Sequence, residues 1–160
     1  MYTMDVANPL SSLFAELLDG TPESGGYVLN RGDIGLHRSL RKLSATAASA
    51  VTRTGSSVAA HVKHLTYALS LLNRWAHGEN PWTSADWAES WRRTQVNEAE
   101  WKDALQQFQV QAIAWRESLA TPREVDAAEL SGMLGSAVHL AYHMGAIRQI
   151  DPSTRGPATA

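Results

Sequence analysis

The chain contains no cysteine. That removes disulfides, thiolate metal ligands and a cysteine nucleophile together. Any metal must be held by nitrogen and oxygen, and any thiol chemistry needs a thiol brought in from outside. Charge is also scarce: 14 Lys+Arg against 16 Asp+Glu leave a formal net charge of −2. Without a basic face or stripe for a phosphate backbone, no nucleic-acid partner is expected. No run approaches the ~18 uninterrupted apolar residues of a membrane span. Met1-Tyr2-Thr3-Met4-Asp5 lacks the basic start and apolar stretch of a secretory signal. A cytoplasmic location with no membrane partner is therefore the expectation. Strand-type alternation and internal repeats are missing. So are a paired-carboxylate signature, a glycine-rich phosphate loop and a nucleophile elbow.

What is present reads as helix. At 160 residues, 44% hydrophobic and 19% charged, the chain fits one domain large enough for a core. Asn8-Pro9 predicts a helix start, with Leu10, Leu13, Phe14, Leu17 and Leu18 as its apolar stripe and Gly20 as its stop. Thr21 to Gly32 is rich in Gly and Pro and reads as a loop. Asp33 is expected to cap a helix through Leu36, Leu40, Leu43, Ala47 and Ala50, with a turn over Thr52–Ser56 after it. A third helix, capped by Ser57, runs from about Val58 to His77. Trp82 to Val96 is irregular, with one helical turn after Asp86. Asn97-Glu98-Ala99-Glu100 is a capping box that opens a helix along Trp101, Leu105, Phe108, Ala112, Trp115 and Leu119. Asp126 with Glu129 repeats that pattern and opens a last helix to about Ile150.

The fold class expected is thus all-α: an antiparallel four-helix bundle whose first helix is broken by a loop. It is a single domain over residues 1–150 with a loose tail over 151–160.

The last helix carries the most pointed chemistry. His139 and His143 are four apart, so their imidazoles stand one turn apart on one face and can reach a common ion. Two ligands do not make a site, and the candidates for a third are His61 and His64 on the third helix. Either could meet the pair across a bundle core, and periodicity places His61 nearer the centre of the apolar stripe. Three histidines with a position left open is the arrangement of a catalytic metal site rather than a closed structural one. The bland alternative is hydrogen-bonded core histidines.

The same segments, Val58-Ala59-Ala60-His61-Val62-Lys63-His64-Leu65 and His139-Leu140-Ala141-Tyr142-His143-Met144-Gly145, resemble the DinB/YfiT-like superfamily of four-helix bundles. There a His-Leu on one helix and a His-x-x-x-His before Gly on the last helix form a three-histidine metal site. The resemblance implies His64, His139 and His143 as metal ligands, with His61 lining the pocket or orienting a ligand. It implies a divalent metal, Zn or Ni foremost, and a small-molecule substrate. The activity implied is that of a metal-dependent transferase using an external low-molecular-weight thiol, or of a hydrolase. It also implies a homodimer, with no interface assigned. The rival reading is a non-catalytic dimeric bundle that acts by partner binding.

Three further features have two readings each. Gly132, Gly135, Ser136, Ala137, Gly145 and Ala146 weaken the last helix, either for close helix packing or to leave room at a site. Trp82, Trp87 and Trp91 either wall a pocket mouth or plug the end of the bundle. Arg148 either meets an anionic substrate or pairs near the helix C-terminus, the commoner use.

Overall fold

The computed structural model describes residues 1–53, 55–92 and 94–158. Among them are six α-helices: α1 (Met4–Asp19), α2 (Gly35–Leu40), α3 (Ala45–Ala48), α4 (Val58–Ala76), α5 (Glu98–Ala120) and α6 (Ala127–Ile150). Short 3-10 turns cover Pro81–Ser84, Glu89–Trp91 and Pro152–Thr154. There is no strand among the described residues; Tyr2 and Glu124 form one isolated antiparallel bridge.

The three longest helices begin where their caps predict. Ser57 accepts from the Ala60 N–H, Asp126 from the Glu129 N–H, and Asn97 exchanges both bonds of a capping box with Glu100. Each cap satisfies amides that the helix itself leaves unpaired.

Three expectations require correction. The first helix begins at Met4, not at Asn8-Pro9, and holds Pro9 in its interior. Its N-terminus is anchored instead by the chain of residue 123, whose carbonyl accepts from the Thr3 N–H at 2.9 Å. The helix expected from Asp33 to Ala50 is two short ones. Trp101 Nε1–H donates to the Leu43 carbonyl at 2.9 Å and Glu98 accepts from the Ala45 N–H at 3.0 Å, so α5 captures the backbone groups that would have continued α2. Of the turn that follows, Thr54 lies outside the described residues; Gly55 N–H donates to the Thr52 carbonyl. Finally, the C-terminal segment is not loose through its described length. Thr154 is buried, Arg155 donates to the Arg148 carbonyl at 2.8 Å, and Asn30 donates to the Pro157 carbonyl at 3.0 Å.

Helices α5 and α6 each pack against both α1 and α4. Phe14, Phe108 and Trp115 are fully buried between them, with Leu17, Leu65, Met133, Leu140 and Ile147 alongside. Helix α6 is apolar on its outside as well as its inside. Leu134, Val138 and Tyr142 are 50%, 69% and 70% exposed, while Met133, Ala137, Leu140, Met144 and Ile147 are buried. Among the described residues, no helix is long and apolar enough to cross a membrane.

Candidate metal centre

Four histidines meet where the N-terminal half of α4 faces α6. His61 and His64 are three apart on α4, so both project to the side that packs on α6. His139 and His143 face them one turn apart. His61, His64 and His143 are buried and His139 is half-buried.

The ring nitrogens are directed at one another. His64 Nε2 lies 3.2 Å from His139 Nε2, and His139 Nε2 lies 2.9 Å from His143 Nε2. One ligand nitrogen from each of these three residues falls within 4.8 Å of the other two. Nitrogens at about 2.0–2.1 Å from a tetrahedral zinc stand roughly 3.3 Å apart, so the spacing suits a first-row ion. These three histidines could therefore hold a divalent metal.

Tautomers favour that use. Ser90 Oγ–H donates to the Trp87 carbonyl at 2.7 Å, so its oxygen is left to accept from His64 Nδ1–H at 2.9 Å. With its proton on Nδ1, a neutral His64 turns a bare Nε2 lone pair toward the cluster. His143 Nδ1 is 2.8 Å from His61 Nδ1. When His143 Nδ1–H donates and His61 accepts, His143 Nε2 is bare as well. Such outer partners orient metal-binding imidazoles and raise their basicity.

The aromatic surroundings reinforce this geometry. The Trp91 ring stacks on His64, with centroids 4.2 Å apart at 22°, and meets His61 edge-on at 5.1 Å. Burial, and then the neighbouring imidazoles, push His64 down to about 4 and His143 down to about 3. Burial also lowers His61 and His139. All four are thus neutral near pH 7, the protonation state a metal needs.

The structure brings His64, His139 and His143 together, and it brings His61 to them. It also separates the paired readings of the small residues and the arginine. A Cβ on Gly132 would collide with the Trp75 ring, so that glycine serves packing; one on Gly135 would meet nothing within 4 Å. Arg148 meets Asp33, Nη2 to Oδ2 at 2.8 Å, and is therefore held by a protein carboxylate. Trp82 and Trp87 do not fill the space beside His64 and His139; they wall it.

Sequence reasoning passed over Ser90. It sits in a 3-10 turn outside any hydrophobic period, and its role depends on a contact 26 residues away in the chain. Ser136 is no nucleophile candidate: its hydroxyl donates to the Met133 carbonyl while accepting from Trp115 Nε1–H. Among the described residues, no carboxylate joins the histidine cluster.

Comparison of this chain with protein-family models, with curated proteins and with solved structures finds no match.

Proposed function

We propose that the protein binds one divalent metal ion through Nε2 of His64, His139 and His143, in the manner of the DinB/YfiT-like proteins its histidine motifs resemble. In this reading α1, α4, α5 and α6 form their antiparallel four-helix bundle. The observation that carries it is the convergence of three imidazole nitrogens, two of them on rings whose Nδ1 is held by Ser90 or His61 so that Nε2 is free to bind.

Three neutral imidazoles leave a divalent ion its full charge, so it supplies Lewis acidity and lowers the pKa of an incoming water or thiol. This chain's residues do the rest. Ser90 and His61 orient two of the rings, and Trp91 covers a face of His64 against water. Thiol-dependent transfer is favoured over hydrolysis, because the cluster holds no carboxylate to act as a general base for water. Imidazole suits Zn and Ni alike, and the donor set does not choose between them.

Elemental analysis of protein purified without a histidine tag tests this. About one divalent ion per chain is expected, and none after His139→Ala. Metal-free protein whose thermal stability is unmoved by added Zn²⁺ or Ni²⁺ would overturn the proposal.

A second reading has one observation of its own. Leu134, Val138 and Tyr142 line the exposed face of α6 at four-residue intervals. A homodimer closing over that stripe is the non-catalytic alternative. Light scattering checks it: Val138→Glu should convert a dimer to monomer, and a monomer at high concentration in the wild type excludes it.

A further inference from the structure

Beside the histidines lies an open cavity of about 500 Å³, within the 300–1,000 Å³ usual for small-molecule sites. His64 and His139 form one end of it. Ala68 and Leu72 of α4 make one wall, Gly132, Gly135 and Ser136 of α6 another, and Trp82 and Trp87 a third.

The chemistry of this lining is one-sided. Among the described residues it includes no Lys, Arg, Asp or Glu. Its one hydroxyl, on Ser136, is fully engaged with Met133 and Trp115. The side-chain polar groups that remain are the two imidazoles and the indole N–H groups of Trp82 and Trp87, all of them uncharged. A charged ligand would have to shed its hydration without finding a counter-charge. Flat apolar surface, by contrast, would be sandwiched between indole rings and the Ala68/Leu72 wall. Trp82 and Trp87 are 40% and 43% exposed, so both have ring area still to bury. Each is held in place: Trp82 lies edge-on to Trp75 at 5.6 Å, and Trp87 edge-on to Tyr67 at 5.6 Å.

Gly135 is where the helix gives up stability to leave this space. A Cβ there meets nothing within 4 Å, so no neighbouring helix requires the glycine. A glycine inside a helix nonetheless destabilises it relative to alanine.

We infer that this cavity binds the uncharged, ring-sized apolar part of a small molecule whose electron-pair-donating head group reaches the histidine end, and that Gly135 sets the size of what is admitted. The head-group half rests on the metal reading above; the apolar half does not. The cavity is formed by side chains present without an ion.

The test has two arms, both on the full chain. In the first, metal-free protein is titrated with 1-naphthol and with 1-naphthoate, following the indole N–H resonances of Trp82 and Trp87. Naphthol should shift both signals saturably, and naphthoate should bind at least about tenfold more weakly, the equivalent of 1.4 kcal/mol. Gly135→Leu should weaken naphthol binding at least about tenfold while keeping the wild-type melting temperature or raising it. Unmoved resonances, equal binding of the charged probe, or equal binding by a folded Gly135→Leu protein each overturn the inference.

In the second arm, zinc-loaded protein is given benzohydroxamate and acetohydroxamate, which share a head group and differ by the ring. The ring should improve affinity about tenfold in the wild type and not in Gly135→Leu. Equal binding of the two hydroxamates overturns the cavity and leaves the metal centre standing. Naphthol binding without binding of either hydroxamate supports the cavity and counts against the metal.

Discussion

Glu16 and Asp33 are buried carboxylates, and His64 and His143 are equally buried imidazoles, yet the two groups are solvated by the protein in opposite ways. Glu16 accepts from three consecutive backbone N–H groups, those of Tyr27, Val28 and Leu29, at 2.7–2.9 Å. Asp33 accepts from the Gly35 N–H and from the Arg148 guanidinium. Each acceptor there faces a donor. In the histidine cluster, lone pair faces lone pair: His139 Nε2 lies between two other Nε2 atoms and has one proton to offer them. Burial alone therefore does not separate a structural polar cluster from a functional one. What separates them is whether the protein's own donors and acceptors balance, because an unbalanced set of buried acceptors is stabilised only by a cation or a proton from outside.

The most direct test of that difference adds the cation. Zinc in hundredfold excess over its dissociation constant stabilises a folded site by about 2.7 kcal/mol. For a chain of this size that raises the melting temperature by about 5–10 °C. The rise is expected after chelator treatment of the wild type and should vanish in His143→Ala. An equal rise in that variant would place the ion elsewhere.

Removing a partner from the balanced cluster acts on stability instead. Asp33→Ala leaves the half-buried Arg148 without its counter-charge, and the expected loss is about 3 kcal/mol in chemical denaturation. Metal stoichiometry should not change. Loss of the ion from a still-folded Asp33→Ala protein would show that the two clusters are coupled.

A smaller effect is expected from His61, which the proposed ligand set leaves out. His61→Phe keeps a ring against Trp91 but removes the acceptor for His143 Nδ1–H. Metal affinity should fall about 10–100-fold with stoichiometry at saturation unchanged. Complete loss of binding would make His61 a ligand, and no loss would remove its orienting role.

A further comparison separates the clusters by pH. In metal-free protein, His64 and His143 titrate well below the ordinary 6.5, at about 4 and about 3, because burial and the neighbouring imidazoles oppose their charge. Between pH 7 and 5 the unfolded chain therefore binds more protons than the folded one, and stability falls as pH falls. Glu16 behaves differently. Burial works to raise its carboxyl, but the three backbone N–H groups outweigh burial and hold it below 4.5. It is ionised in both states above that value and contributes no slope there; its stabilisation is lost only as pH drops further, through the folded-state value. Urea titrations at pH 7, 6 and 5 should thus show a decline that His143→Gln reduces and Glu16→Gln leaves in place. A decline unaffected by His143→Gln would break the assignment.

Much of the helical layout was legible because helix ends are local events. Ser57, Asn97 with Glu100, and Asp126 with Glu129 each act within three residues, and each begins a helix in the structure where the pattern predicts. The failures share the opposite character. Leu43 leaves the helical path and Ala45 starts a separate helix because Trp101 and Glu98, more than fifty residues on, take their backbone groups. The C-terminal segment docks because Asn30 and the Arg148 carbonyl receive it. Ser90 joined the site unannounced for the same reason.

The sequence by itself determined that His139 and His143 share a face and that His61 and His64 share another, since helix geometry relates residues three and four apart without help from the rest of the chain. It also determined that no thiolate could join them. Only the tertiary structure decided which face of α6 turns inward: with Leu134, Val138 and Tyr142 outside and Met133, Leu140 and Ile147 inside, that helix is apolar nearly all round, and hydrophobic pattern cannot orient it. The packing of α6 on α1 and α4 makes that choice. The same packing directs His64 to His139 and His61 to His143, because the rotation of one helix against another is set by side-chain interdigitation and not by the spacing of residues along either chain.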